Sequence, residues 1–260
     1  ARAGILPDGT PGTPANGHPT VIVTAQPALQ SGSDVYYALS EWRSTDLGAT
    51  WDGPHPHSET LGRREDPDQP DVTVAICDMT PKWHAATGTL LATGQTVRYR
   101  DDAGPIVART RETAYSTYDP QSRTWTAWDT LVMPDRPDFG SAGAGSTQRV
   151  DLPDGTILLP VYFKAVSDDR NATNSATVVR CAFDGTTLRY LEHGTEMTVP
   201  EPRGFCEPSL TRYQDRFYLT LRNDVQGYVT ASDDGLHFGE PSPWRFDDGE
   251  PLGNYNTQQH

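Results

Sequence analysis

The feature that most limits how this chain can fold is an eight-residue turn at 44–51, with the sequence STDLGATW. In such a turn the Asp carboxylate can accept hydrogen bonds from backbone amides, and the Gly permits a positive φ. The aromatic side chain that ends it, Trp51, is predicted to pack between sheets. A turn of this kind joins two β-strands, so it predicts a β-rich fold and says little about chemistry.

Weaker copies of this turn recur along the chain. Residues 231–238 read ASDDGLHF and keep Asp233, Gly235 and an aromatic residue at the positions of the motif. The segments 118–125 (YDPQSRTW) and 183–186 (FDGT) are predicted to be degenerate copies. Repetition of one turn predicts repetition of the unit that carries it.

A unit of short strand, tight turn and apolar strand repeats in phase with these turns. It is found at 82–93, 147–162 and 207–220. The turn positions Gly88, Gly155 and Asp215 lie 67 and 60 residues apart. A period near 60 residues that contains strands and turns predicts the blades of a β-propeller.

The composition agrees with an all-β protein that has many turns. Of the 260 residues 35% are hydrophobic, 23 are Gly and 22 are Pro, which does not suit a helix bundle. No apolar run approaches the length of a membrane-spanning helix, so membrane insertion is not expected. The first residues lack an apolar signal region. We therefore expect a cytoplasmic location, or a secreted or periplasmic one if a signal was removed.

The chain is acidic, with a formal net charge of −14. Such a protein repels nucleic acids at long range, so a nucleic-acid partner is not expected. The same field repels anionic sugars, so an acidic glycan would need a local cluster of arginines. Most of the acidity is interpreted as serving solubility.

No cofactor or metal site is predicted. The three cysteines, Cys77, Cys181 and Cys206, are odd in number and widely spaced, which indicates free buried thiols. The sequence lacks a Gly-rich phosphate loop and the metal-binding spacings of His and Cys. A structural calcium ion in an acidic loop stays open, as does the oligomeric state.

The turn at 44–51 and its phased copies resemble the Asp boxes of the sialidase superfamily. The resemblance implies an all-β, sialidase-type β-propeller that has six blades when complete. It implies that 1–260 form a single, incomplete propeller domain. The predicted blades lie at about 1–62, 63–135, 136–200 and 201–248, with the start of the next at 249–260.

The resemblance also implies a catalytic residue. Sialidases have a Glu at the start of one blade's first strand and an Arg at the end of its second strand. This chain has Glu207 and, fifteen residues later, Arg222. By resemblance Glu207 would activate a Tyr nucleophile, and Arg222 would bind the substrate carboxylate. The substrate of a sialidase carries a carboxylate on its anomeric carbon. This group would repel a carboxylate nucleophile, whereas it does not repel a neutral Tyr.

Other residues that enter first strands are candidates for substrate binding, namely Asp78, Gln148, Arg149 and Arg203. Simpler interpretations stay open, since Glu207 precedes a proline and Arg222 precedes Asn-Asp. A strand-entry residue and a surface ion pair would explain them equally.

Other parts of the family pattern are missing or displaced. Arg2 lies nearest the position of the family's first Arg, with different neighbours. Asp34 or Asp66 could supply the acid/base. The Tyr nucleophile and third Arg are expected beyond residue 260.

Three functions follow from these observations. The first is a glycoside hydrolase of the sialidase superfamily that acts, like an exo-sialidase, on a glycan with an acidic sugar. The second is a polysaccharide lyase on a uronate polymer, with Tyr255 and His260 as candidates for proton removal. The third is a propeller that binds a glycan or a protein without catalysis.

Overall fold

The computed structural model describes residues 1–27, 34–101, 104–169 and 172–252. Contacts among these residues group into two compact units. Unit 1 contains Ala1–Ile106 and Ala114–Thr130, and unit 2 contains Val107–Thr113 and the described part of Leu131–His260.

The first sheet of unit 1 is formed by four antiparallel strands that are neighbours in chain order. They are β1 (Arg2–Leu6), β2 (Thr20–Ala25), β3 (Ser40–Ser44) and β4 (Asp52–Pro56). Buried and half-buried residues alternate along β2, so Thr20, Ile22 and Thr24 face one side. This alternation is the period-two pattern of a strand with one face on a core.

The second sheet of unit 1 is built around the long hairpin predicted at 82–93. Its strands are β5 (Arg64–Glu65), β6 (Thr73–His84), β7 (Thr89–Tyr99), β8 (Thr113–Asp119), β9 (Thr124–Trp125) and β10 (Asp129–Thr130). Their order across the sheet is β10-β8-β7-β6-β5, with β9 also paired to β8. Strand β7 is buried along nearly its whole length, as expected of a central strand.

The first sheet of unit 2 follows a one-turn 3₁₀ helix at Pro137–Gly140. Its strands are β11 (Ser141–Gly143), β12 (Val150–Asp151), β13 (Ile157–Lys164), β14 (Ser175–Phe183) and β15 (Leu188–His193). Both β11 and β12 pair with β13, and β14 and β15 follow in order.

The second sheet of unit 2 again has four antiparallel strands in chain order. They are β16 (Cys206–Tyr213), β17 (Arg216–Arg222), β18 (Tyr228–Ser232) and β19 (Ser242–Pro243). Strands β16 and β17 form the hairpin predicted at 207–220.

Each unit has its own hydrophobic core. The core of unit 1 includes Leu6, Ile22 and Leu90, which come from its two sheets. The core of unit 2 includes Leu158 and Leu219, again one from each sheet. Burial of these aliphatic side chains supplies the main free energy that holds the strands together.

Four Asp turns, one in each sheet, connect β3 to β4, β8 to β9, β14 to β15 and β18 to β19. We number them one (44–51), two (118–125), three (183–188) and four (231–238). In each, one carboxylate accepts hydrogen bonds from backbone amides of the turn. Asp46 accepts from Thr50 at 2.9 Å, Asp119 from Gln121 at 2.9 Å, and Asp184 from Thr187 at 2.8 Å. Each of these segments is therefore a turn between two paired strands of one sheet.

The fourth Asp turn corrects the predicted register. Asp234, not Asp233, accepts the turn amides, from Leu236 and His237 at 2.8 Å each. Asp233 is exposed and pairs with Arg216 at 3.2 Å. The turn is one residue shorter than the first, so its Ser and Asp align only when Ser232 and Asp234 are matched to Ser44 and Asp46.

The first Asp turn corrects a second expectation. Trp51 was predicted to pack between sheets, yet it is 45% exposed. Its indole Nε1 donates to the Gly48 carbonyl at 3.1 Å, which holds the ring against its own turn. The corresponding residues Trp125, Leu188 and Phe238 are buried.

The four sheets have the strand order of propeller blades, with neighbouring strands antiparallel. The blade limits and the single domain over 1–260 stay predictions. The predicted fifth blade falls mostly on 253–260, outside the described residues. Among the residues described, the cysteines are free and buried, as predicted, and no helix is long and apolar enough to cross a membrane.

Candidate functional site

Glu207 and Arg222 form a buried ion pair in unit 2. Arg222 Nη1 donates to Glu207 Oε1 at 2.8 Å, and Glu207 is 8% exposed. The pairing of β16 with β17 shifts between Cys206 and Ser209, and Glu207 lies in this bulge with a φ of 45°. A bulge redirects a side chain, and a non-Gly residue at positive φ marks local strain of the kind found at functional sites.

The ion pair continues through a second carboxylate. Arg203 Nη1 lies 3.1 Å from Asp224 Oδ1, and Arg222 Nη2 lies 4.0 Å from the same oxygen. Arg203 also has a positive φ of 67°. Three of the predicted residues, Glu207, Arg222 and Arg203, are thus brought together with Asp224.

A further arginine that the sequence did not reveal joins this cluster. The Arg111 guanidinium lies 3.8 Å from the centroid of the Tyr162 ring and donates to Asn174 Oδ1 at 3.1 Å. Asn174 in turn donates to the Arg203 carbonyl at 3.0 Å. Arg111 reaches this position through a parallel bridge to Ser141, thirty residues away in the chain.

The electrostatics of the cluster are seen at the Cys206 thiol. Burial raises the pKa of Cys206, while the charges of Arg203, Arg111 and Arg222 lower it and that of Glu207 raises it. Burial, followed by the charge of Arg111, lowers the pKa of Lys164. In a chain of net charge −14, this is a local concentration of cations. It is the arrangement that binding of a ligand carboxylate requires.

Unit 1 contains a counterpart of the Glu207–Arg222 pair that has no cation. Asp78 lies in a bulge after Cys77, with a φ of 56°, and accepts from Gln95 Nε2 at 3.3 Å. Cys77 is opposite Gln95 as Cys206 is opposite Arg222. The two blades therefore share one backbone design, with an amide in the place of the guanidinium.

Asp78 borders a small cavity of about 110 Å³ that is also lined by Arg2 and Tyr36. The Tyr36 hydroxyl donates to Asp34 Oδ1 at 3.2 Å. Burial, and then the charges of Asp78, Cys77 and Asp34, raise the pKa of Tyr36 well above its usual value. Its phenol is therefore protonated at neutral pH.

The remaining candidates occupy less suitable positions. Arg149 is 2% exposed and pairs with Asp151 at 2.9 Å, which favours a structural role. Gln148 is exposed, and its carbonyl accepts from the Leu210 amide at 3.1 Å. Asp66 is buried against Arg98 at 2.6 Å. The lyase candidates Tyr255 and His260 lie outside the described residues.

The fold is similar to that of known sialidases. The structure matches the Trypanosoma rangeli sialidase in complex with the inhibitor DANA with a TM-score of 0.59 and 14% identity, over 92% of this chain and 37% of that one. It matches a leech intramolecular trans-sialidase with a TM-score of 0.56 and 13% identity, over 94% of this chain and 50% of that one.

An exo-β-1,3-galactanase from Clostridium thermocellum is also similar, with a TM-score of 0.51 and 15% identity, over 93% of this chain and 47% of that one. No protein-family model and no curated protein sequence matches the chain. The chain thus spans between about a third and a half of the length of these structures. At such identities the likeness shows the fold, a sialidase-type β-propeller found in glycoside hydrolases.

Proposed function

We propose that this chain contributes to a sialidase-like glycoside hydrolase that removes an acidic sugar from a glycan. The observation that carries the proposal is the buried 2.8 Å pair of Glu207 and Arg222, held in a strained bulge at the start of a blade. The bulge turns the Glu207 side chain away from the regular strand direction, and strained backbone of this kind is frequent where a side chain meets a ligand. The arginine opposite the bulge is what this blade has and the blade of Asp78 lacks.

Arg222 suits recognition of the substrate carboxylate. A guanidinium presents two parallel N–H donors, which match the two oxygens of a carboxylate. One side of Arg222 is already held by Glu207, so its orientation is fixed before a ligand binds. Pre-orientation reduces the entropy lost on binding.

Glu207 suits the role of a base for a phenol nucleophile. As the phenolic oxygen of a tyrosine bonds to the anomeric carbon, its proton passes to the Glu207 carboxylate, while the bond from that carbon to the aglycone oxygen breaks and the aglycone leaves with a proton from a general acid. Water then attacks the same carbon and gives one proton back to that acid, while the bond to the tyrosine breaks and the proton on Glu207 returns to the phenolic oxygen. We assign the tyrosine to no residue of the described part of the chain.

The surrounding cations favour an acidic over a neutral sugar. Arg203 and Arg111 raise the local potential in a protein that otherwise repels anions. The galactanase among the similar structures is named for a neutral glycan. Selection of an acidic sugar is therefore assigned to this chain's own arginines and not to its fold.

The test is a comparison of substrates with the full-length protein. An aryl sialoside should release its phenol, whereas an aryl galactoside should be cleaved far more slowly. Arg222→Lys keeps the charge but loses the fork, so KM should rise by about tenfold or more. Arg189→Ala, which removes an exposed arginine paired with Asp184, is the matched control and should leave KM unchanged.

Two other outcomes would replace the proposal. An unsaturated, ultraviolet-absorbing product from a uronate polymer would indicate a lyase. Saturable binding of a sialoside without any product, in wild type and Glu207→Gln alike, would indicate a binding propeller.

A further inference from the structure

A cleft of about 460 Å³ lies at the first Asp turn of unit 1. This volume is within the range of roughly 300–1,000 Å³ typical of small-molecule sites. Its walls come from the loop before β2, the first Asp turn and the second Asp turn. The residues that define its chemistry are Arg43, Trp51, Asp52 and Arg123.

Trp51 gives this cleft an aromatic wall. In the other three Asp turns the corresponding side chain is buried and helps to close its sheet; Phe238, for example, is 7% exposed. Trp51 is 45% exposed and borders the cleft. Since the first turn keeps the Asp and Gly of the motif, its geometry does not explain the exposure. The indole is available to a ligand.

Arg43 gives the cleft a buried positive charge. It is 5% exposed and lies near the Tyr118 hydroxyl, whose pKa is raised by burial and by Glu41 and is lowered by Arg43. Its Nη2 donates to the Gly12 carbonyl at 2.9 Å, and its Nη1 is buried without a hydrogen bond in the described residues. A carboxylate nearby in sequence, Glu41, is held by His57, Tyr118 and Trp125. The Tyr118 hydroxyl links Arg43 to Glu41, and the Nη1 atom, without a partner among the residues described, leaves the charge of Arg43 able to act on an anionic group in the cleft.

Arg123 adds a second cation at the mouth of the cleft. It lies in the second Asp turn with a φ of 55°, a conformation that is costly for a residue with a side chain. Its Nη1 lies 3.3 Å from Asp52 Oδ2, and Asp52 also pairs with His55 at 2.9 Å. Exposed pairs of this kind contribute little free energy, so Arg123 can exchange partners at small cost.

The third wall is a loop that is fixed in place. Asn16 Nδ2 donates to the Thr45 carbonyl at 3.1 Å, which ties the loop to the first Asp turn. Gly12 packs directly on the second Asp turn, where an added Cβ would lie 2.5 Å from the Gln121 nitrogen. Gly12 also has a φ of 85°, so both the close approach to the second Asp turn and the backbone conformation require a glycine at this position. The cleft is thereby preformed.

We propose that this cleft binds a saccharide ring that carries a carboxylate or sulfate group. The apolar C–H face of the ring packs on Trp51, and the anionic group interacts with Arg123 and with the field of Arg43. This site is additional to the hydrolytic site proposed above and does not depend on it. It would hold the glycan at one blade through the anionic group of the ring, and no bond of the glycan would be cleaved there.

The chemistry favours an acidic saccharide over its simpler alternatives. A free inorganic anion would use the arginines and leave Trp51 without a role. A neutral saccharide would use Trp51 and leave the two arginines of the cleft without a role. Only a ligand with both a ring face and a negative charge uses both features of the cleft.

The experiment measures binding of three probes to the full chain by isothermal titration calorimetry. The probes are a chondroitin sulfate tetrasaccharide, a neutral β-1,3-galactan tetrasaccharide and inorganic sulfate. Because Arg43 is buried, the variants are Trp51→Ala and Arg123→Ala, both at exposed positions. The controls are Tyr213→Ala, another exposed aromatic, and Arg100→Ala, whose arginine pairs with Asp71 as Arg123 pairs with Asp52.

We expect the acidic tetrasaccharide to bind at least about tenfold more tightly than either other probe. Each cleft variant should weaken this binding by about tenfold or more, and each control should leave it unchanged. Equal affinity for inorganic sulfate, or binding that Trp51→Ala does not weaken, would overturn the proposal. So would the absence of saturable binding of the acidic tetrasaccharide.

A final pair of variants separates the two sites. Glu207→Gln and Arg222→Lys lie in unit 2 and should leave binding in the cleft unchanged. If neither wild type nor any variant hydrolyses a sialoside, the proposed hydrolase fails while the cleft proposal stands. Loss of tetrasaccharide binding in Arg222→Lys, but not in Trp51→Ala, would place the ligand at the hydrolytic site and overturn the cleft.

Discussion

Arg222 donates to Glu207 at 2.8 Å between two neighbouring strands, and in the second sheet of unit 1 Gln95 donates to Asp78 from the corresponding position at 3.3 Å. The two blades use the same bulge, in which an acidic residue that follows a buried Cys is held by the side chain opposite that Cys. Only the pair in unit 2 carries a cation. The common backbone is therefore a property of the fold, and the arginine is what distinguishes the candidate site.

The Glu207–Arg222 pair should be strongly coupled in stability. Arg222→Ala leaves the buried Glu207 carboxylate without its arginine, which should lower the free energy of unfolding by about 3 kcal/mol. Urea denaturation of Glu207→Gln, Arg222→Ala and the double variant gives the coupling. We expect a coupling energy of about 1–3 kcal/mol, and additive losses would show that the pair does not act as a unit.

The two acidic residues of the fourth Asp turn should differ in their effect on stability. Asp234→Ala removes the hydrogen bonds from the amides of Leu236 and His237 and should cost about 1–2 kcal/mol. Asp233→Ala removes an exposed pair with Arg216 and should cost less than about 0.5 kcal/mol. Thermal melting of the two variants shows which substitution destabilises the protein more. A larger loss for Asp233→Ala than for Asp234→Ala would support the register that the sequence alone predicts.

The Asp46 carboxylate should make stability depend on acid pH. Hydrogen bonds from Thr50, and then from Ser44, lower its pKa from 3.8 to about 2. A lowered pKa stabilises the folded state fully above about pH 4, and this contribution is lost as the pH falls towards 2. The difference in melting temperature between wild type and Asp46→Asn should therefore shrink between about pH 5 and pH 2. A difference that stays constant over this range would contradict the assignment.

Trp51 and Phe238 should differ in stability although they end equivalent turns. Phe238→Ala empties a core position and should cost about 3 kcal/mol or more. Trp51→Ala removes a partly exposed side chain and should cost less than about 1 kcal/mol. Chemical denaturation measures both. A large loss for Trp51→Ala would mean that this residue is a structural wedge, as the sequence suggested, and not a wall of the cleft.

The sequence predicts what depends on local chain geometry. The first Asp turn could be found because a carboxylate, a glycine and an aromatic residue at fixed spacing define a turn by themselves, and the others were found as partial copies of it. Glu207 and Arg222 were indicated by the resemblance to sialidases. The length of the hairpin alone would place these two residues opposite each other, but the bulge shifts the register so that Cys206 faces Arg222.

What the sequence did not predict depends on contacts between distant segments. Arg111 is placed by a parallel bridge to Ser141, and no local sequence pattern predicts this position. In the sequence, Arg149 resembles any arginine at the start of a strand. Only the fold shows that it is buried and paired with Asp151. The exposure of Trp51 likewise depends on how the segments before and after it fold.

The most direct test of the proposed function is the rate of aryl sialoside hydrolysis by wild type and by Glu207→Gln in the full-length protein. Glutamine keeps the shape of the side chain but accepts no proton from the nucleophile, so kcat should fall by about 100-fold or more while the protein stays folded. Arg189→Ala should retain the wild-type rate. Equal rates in wild type and Glu207→Gln would contradict the role of Glu207, and so would the absence of hydrolysis by the wild type.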